Sequence, residues 1–158
     1  MRMNTSGNFV IMTGSRLYLD TAPFIYFLEK SNLYFEQIRN FFIRCKNNKI
    51  FLITSTVTIE EYCVYPLSQN NNQAVSDFNT FLSGMNIEVV PVDKTIGLKA
   101  AEFRAKYKGF KALDAIHLAT AIQSGCTIFV TNDKQLRQSQ EISVLTMENL
   151  KELDFSPK

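Results

Sequence analysis

Apolar positions along the chain follow two distinct periods. Short runs at Leu17-Tyr18-Leu19, Ile50-Phe51-Leu52-Ile53, Ile87-Glu88-Val89-Val90, Ile128-Phe129-Val130 and Val144-Leu145 predict five strands, most of them buried. Helical spacing occupies the intervals. Pro23 suits a first helical turn that continues through Phe24–Glu29, and Tyr34, Ile38, Phe41 and Cys45 mark a helix over 32–46. A third helix follows Ile53, with Thr56 or Thr58 as its cap and Pro66 near its end. Val75, Phe78, Phe81 and Leu82 mark a fourth, closed by Gly84, and Ile96, Ala100 and Phe103 a fifth over 94–107. Ala112–Ser124 is almost entirely small or apolar and predicts a buried helix, ended by Gly125. Strands alternating with helices predict an α/β fold: a central, mostly parallel sheet of about five strands with helices on both faces. Residues 1–15 show no clear period. They predict a loose extension or a short added strand ahead of a single domain over 16–154.

Composition narrows the class. At 158 residues with 46% hydrophobic content the chain has the size of one domain, able to bury roughly 68–70% of its unfolded surface. Disorder, collagen-like repeats and a disulfide scaffold are excluded. The longest apolar run near the N-terminus, Phe9–Met12, is far short of a membrane span or a signal-peptide core. Cys45, Cys63 and Cys126 form no C-x-x-C pair and read as reduced, mostly buried thiols of a cytoplasmic protein. No glycine-rich nucleotide-binding motif is present. Net charge is only +2, yet it is unevenly spread. Residues 16–49 carry six Lys/Arg against three acids and 101–111 four against one, whereas 50–100 carry two against five and 112–158 four against six. That alternation suits a grip on a polyanion around an acidic centre, or simply two solvated helix faces.

Four acids stand at chemically suggestive positions. Asp20 follows the first apolar strand, Asp133 the fourth, Glu61 lies in the helix after the second, and Asp114 opens the buried helix. In open parallel sheets ligands bind outside the carboxyl ends of the strands, which is where all four converge. Converging carboxylates repel and raise one another's pKa, a conflict that a divalent cation removes. Oxygen ligands without paired His or Cys favour Mg²⁺ or Mn²⁺, ions suited to phosphodiester hydrolysis. Taken singly, Asp20 and Asp114 also read as helix caps, Asp133 as a turn residue and Glu61 as a solvated helix acid.

The same residues carry a family resemblance. Tyr18-Leu19-Asp20-Thr21-Ala22-Pro23-Phe24-Ile25-Tyr26 resembles the opening motif of PIN domains, and Ser55-Thr56-Val57-Thr58-Ile59-Glu60-Glu61 their second. Leu113-Asp114-Ala115-Ile116-His117-Leu118-Ala119-Thr120-Ala121 and Val130-Thr131-Asn132-Asp133-Lys134 resemble the third and fourth. The likeness runs from about residue 16 to 147 and is greatest to VapC-type toxins of bacterial toxin–antitoxin pairs. It implies a PIN-like three-layer sandwich and a Mg²⁺- or Mn²⁺-dependent endoribonuclease, often a homodimer, with RNA as substrate and a cognate antitoxin as partner. By the same resemblance Asp20, Glu61, Asp114 and Asp133 are the catalytic, metal-binding acids. Thr131 orients the site, and Thr21 and Asn132 support it. The distance to Pro66 favours Glu61 over its neighbour Glu60 as the ligand. Ala22 departs from the pattern, since many members have Asn there.

Three further features have two readings each. His117, the sole histidine, reads as a packed, hydrogen-bonded core residue rather than a catalytic one. The aromatic stripe over 34–42 is core, or a contact for a second copy or an antitoxin. Arg104, Lys106, Lys108 and Lys111 interleave with Tyr107 and Phe110 ahead of Asp114, a pattern for holding single-stranded RNA by phosphate contact and base stacking, or a solvated loop. Haloacid-dehalogenase-like and receiver-like phosphoacceptors do not fit the residues around Asp20. The remaining alternatives are an inactive PIN-like module that binds RNA or protein, and a solitary RNA-processing nuclease.

Overall fold

The computed structural model describes residues 2–3 and 9–156. Its main sheet contains β3 (Arg16–Leu19), β4 (Phe51–Ser55), β5 (Glu88–Val90), β6 (Ile128–Thr131) and β7 (Ser143–Thr146), in the order β5-β4-β3-β6-β7 with every pairing parallel. The five expected strands are therefore all present, in an α/β arrangement. Connections run outward in opposite directions from β3 and β6, so the strand order reverses between those two neighbours. A crevice opens at the carboxyl ends of strands at such a reversal.

Side-chain alternation along the strands creates two cores. Leu17, Leu19, Leu52, Ile128 and Val130 face α1 (Thr21–Leu28), α2 (Phe35–Asn47), α3 (Thr56–Ser68) and α4 (Asn72–Gly84). The aromatic stripe lies in this layer: Phe41 and Phe42 are buried, and Phe24 packs edge-on against Phe78 at 5.5 Å. Tyr18, Ile53 and Phe129 point the other way, against α5 (Lys94–Lys106) and α6 (Ala112–Gln123). The small residues Ala115, Ala119 and Ala121 let α6 lie close to the sheet, as expected of a buried helix. All three cysteines are free and buried, and burial pushes the Cys126 thiol up to about 12.

Two local expectations need correction. The cap of α3 is neither Thr56 nor Thr58 but Ser55, whose hydroxyl accepts from the Val57 N–H at 3.1 Å. Thr58 is buried instead, bonded to Thr54 at 2.7 Å. The pattern also missed a second sheet, ordered β1 (Arg2–Met3), β2 (Phe9–Met12), β8 (Leu153–Ser156). β2 pairs parallel with β8, and Ile11 joins Met147, Leu150 and Leu153 in the first core. An added strand, rather than a loose extension, occupies residues 9–12.

Candidate active site

The carboxyl ends of β3 and β6 define the site. Asp20 closes β3: its N–H reaches the Val130 carbonyl at 3.0 Å, and its Oδ1 caps α1 by accepting from the Thr21 N–H at 2.8 Å. Its other oxygen accepts from Thr131 Oγ1 at 2.6 Å. That threonine ends β6 and in turn accepts from the Asp133 N–H at 3.0 Å. Asp133 caps a short 3₁₀ segment, Lys134–Gln138, through the Gln135 N–H. Asn132 turns away from the acids and donates to the Tyr26 hydroxyl at 2.8 Å.

Across the crevice, Glu61 of α3 is half-buried and faces the cluster, whereas Glu60 is exposed. Thr21 donates its hydroxyl to Glu61 Oε2, and His117 Nε2 lies 2.8 Å from the same oxygen. His117 Nε2 is also 3.6 Å from Asp20 Oδ1. Asp20, Glu61 and His117 thus bring ligand-type atoms within 4.8 Å of one another. Sequence reasoning placed His117 in the core, and it is buried there. It did not foresee that the ring would point its polar edge at two of the acids. The one available signal was its position three residues after Asp114, on the same face of the helix.

The electrostatics follow from this crowding. Burial pushes the Asp114 carboxyl up, and the charges of Asp133 and Asp20 push it further. Burial also raises Glu61, but hydrogen bonds from His117 and Thr21 outweigh it and hold the carboxyl below its ordinary range. Desolvation lowers His117, yet the bond to Glu61 and the charges of Asp20, Glu61 and Asp114 leave it above its ordinary value. Asp114 therefore feels both strand-end aspartates, and His117 feels three of the four acids.

The basic segment before Asp114 differs from its expected form. Arg104, Lys106, Lys108 and Lys111 are all exposed. Phe110, however, is buried and stacks on Tyr107 with ring centroids 5.0 Å apart, so it cannot also stack on a base. The Tyr107 hydroxyl donates to Glu141 at 2.7 Å, and Lys106 pairs with the same carboxylate at 2.6 Å. A run of hydrophilic neighbours hid Phe110's burial because the chain turns at Gly109, where φ is +95°.

A family model described as PIN domain matches residues 17–141, most of the chain. The protein belongs to the PIN domain family. Its fold is shared with VapBC2 from Rickettsia felis, solved bound to a promoter DNA fragment, with TM-score 0.68 and 18% identity over 83% of this chain and 98% of that one. DNA-bound VapBC from Salmonella typhimurium gives 0.67 and 19%, over 84% and 98%. VapC20 from Mycobacterium tuberculosis, a sarcin-ricin loop cleaving toxin, gives 0.60 and 12%, over 72% and 86%. No curated protein is significantly similar in sequence. The strands of the small sheet, β1, β2 and β8, lie outside the stretch of this PIN domain that the family model covers.

Proposed function

We propose that this PIN domain is a divalent-metal-dependent endoribonuclease, the toxin of a toxin–antitoxin pair. The observation that carries the reading is the convergence of Asp20 and Glu61, with His117, at the point where the strand order reverses, where the charges of Asp20 and Asp133 also reach Asp114. The donor set fits a hard divalent cation: it is rich in carboxylate oxygen, and Asp114 is burdened by charge that a cation would offset. Asp20, Glu61, Asp114 and Asp133 would hold Mg²⁺ or Mn²⁺, which when bound polarises a phosphoryl oxygen and activates water. Thr131 and Thr21 fix the Asp20 and Glu61 carboxylates by donating to them, and the Asn132–Tyr26 bond steadies the turn that carries Asp133. Arg104, Lys108 and Lys111 are exposed cations in the segment leading to Asp114 that suit RNA phosphates, and Lys106 joins them only by leaving Glu141.

An antitoxin partner is supported by the kinship in fold with proteins solved as VapBC complexes. A homodimer and a cytoplasmic location complete the reading; no helix among the described residues is long and apolar enough to cross a membrane. The deciding experiment incubates purified protein with single-stranded RNA in Mg²⁺, in Mn²⁺ and in chelator. Internal cleavage that needs the metal and is lost in Asp20→Asn and Asp114→Asn is the expected result. Intact RNA under every condition, with the metal bound, would leave an inactive RNA- or protein-binding module. A short reading frame for a DNA-binding protein beside the gene is the expected genetic context, and its absence would point to a solitary processing nuclease.

A further inference from the structure

We infer that Tyr18 and His117 form a buried positioning relay that aims the Glu61 carboxylate into the metal site. The inference rests on the metal-site reading above and names residues outside its four acids. Tyr18 sits in the middle of β3, fully buried, and stacks on Phe129 with ring centroids 5.1 Å apart. Its hydroxyl lies 2.7 Å from His117 Nδ1, and His117 Nε2 lies 2.8 Å from Glu61 Oε2. His117 is 1% exposed, so neither nitrogen has water as a substitute partner.

The direction of each bond follows from counting donors. Glu61, ionised, only accepts, so the proton between it and the imidazole must sit on Nε2. In the neutral ring Nδ1 then accepts, and the Tyr18 O–H is the donor it requires. In the protonated ring Nδ1 carries a proton as well and gives it to the Tyr18 oxygen. Nε2–H points at Glu61 in either state, and the other neutral tautomer would set a bare Nε2 lone pair against the carboxylate while the Tyr18 O–H lost the Nδ1 acceptor it donates to.

The consequence lies at Glu61. Thr21 and His117 both donate to Oε2, which leaves Oε1 as the less encumbered oxygen for a cation. Without the relay the carboxylate keeps only the Thr21 bond and can rotate. Partners that orient a metal ligand in this way typically contribute about 10–100-fold to metal affinity.

The test uses the full chain without a histidine tag, in which His117 is the only imidazole. Nitrogen-15 NMR of the metal-free protein, at a pH where the ring is neutral, should find the proton on Nε2 in wild type and a shift toward the other tautomer in Tyr18→Phe. Calorimetric titration with Mn²⁺ should show affinity reduced about 10-fold or more in His117→Leu, less in His117→Gln, whose amide can still donate, and measurably in Tyr18→Phe. Leu118→Ala, a buried neighbour on the same helix, should lower the melting temperature and leave Mn²⁺ affinity within about twofold, separating positioning from general destabilisation. A proton found on Nδ1 in wild type, or equal Mn²⁺ affinity in wild type, Tyr18→Phe and His117→Leu, overturns the relay. A wild type that binds no Mn²⁺ instead overturns the metal-site reading on which the relay rests.

Discussion

Thr131 Oγ1 donates to Asp20 Oδ2 at 2.6 Å while accepting from the Asp133 N–H at 3.0 Å. One fully buried hydroxyl thereby ties the acid at the end of β3 to the acid after β6. Thr131→Val keeps the shape but leaves the Asp133 N–H without its acceptor and Asp20 without a donor. We expect a stability loss of ~1–3 kcal/mol, the usual cost of stranding a buried polar group. Thr131→Ser, which restores the hydroxyl, should recover most of it. Denaturant melts of the two variants check this, and equal losses would mean that the methyl packing, not the hydroxyl, matters.

Asp114 illustrates the cost of assembling such a site. Its carboxyl is disfavoured in the ionised form first by burial and then by Asp133 and Asp20. Asp114→Asn removes a repelling charge at nearly constant volume, so the metal-free variant should melt higher than wild type even as it loses Mn²⁺ binding. Thermal scans with and without Mn²⁺ should cross over: the wild type gains melting temperature from the ion and the variant does not. A variant that melts lower without metal would show that the carboxylate's own contacts outweigh the repulsion.

How much of this was readable before the structure depended on range. Asp20 and Asp133 were placed because each follows a buried strand, and strand ends in parallel sheets share one edge. Glu61 was chosen over Glu60 from local spacing, and it is the half-buried one that faces Thr21 and His117. His117 could not be placed in the same way, since Glu61 lies 56 residues away and only the packing of α6 beside α3 brings them together. β8 was illegible for a different reason: Leu153-Asp154-Phe155-Ser156 is too short and too polar to signal a strand without its partner β2. Phe110 was misread because its neighbours are solvated, while its own ring turns inward onto Tyr107.

Glu141 ties the end of α5 to the loop before β7, and its titration should be visible in acid. Burial raises its carboxyl, but bonds from Lys106, Tyr107 and Ser139 prevail and bring it down to about 2. A depressed folded-state value means the contribution is complete above the ordinary glutamate range and disappears as pH falls toward about 2. Wild type should therefore lose more melting temperature than Glu141→Gln between about pH 5 and pH 2. Parallel curves for the two proteins would show that the clasp adds nothing to the folded state.

The same clasp separates the four cations proposed to hold RNA. Lys106 already spends its charge on Glu141, whereas no ion pair holds Arg104, Lys108 or Lys111 among the described residues. Each phosphate contact to a single strand steepens the dependence of log binding on log salt by about 0.7. Lys108→Ala with Lys111→Ala should flatten that slope by about twice this amount and weaken unrelated sequences alike. Lys106→Ala should change it far less, and the buried Phe110 should contribute no base stacking at all. Tyr107→Ala removes the ring that covers Phe110 and the hydroxyl bound to Glu141, so its effect should register in stability before RNA affinity. The measurement is RNA binding at several salt concentrations in Ca²⁺, where binding should proceed without rapid cleavage. An unchanged slope in the Lys108/Lys111 double variant would move the RNA path to the other basic block, along Arg39, Arg44, Lys46 and Lys49.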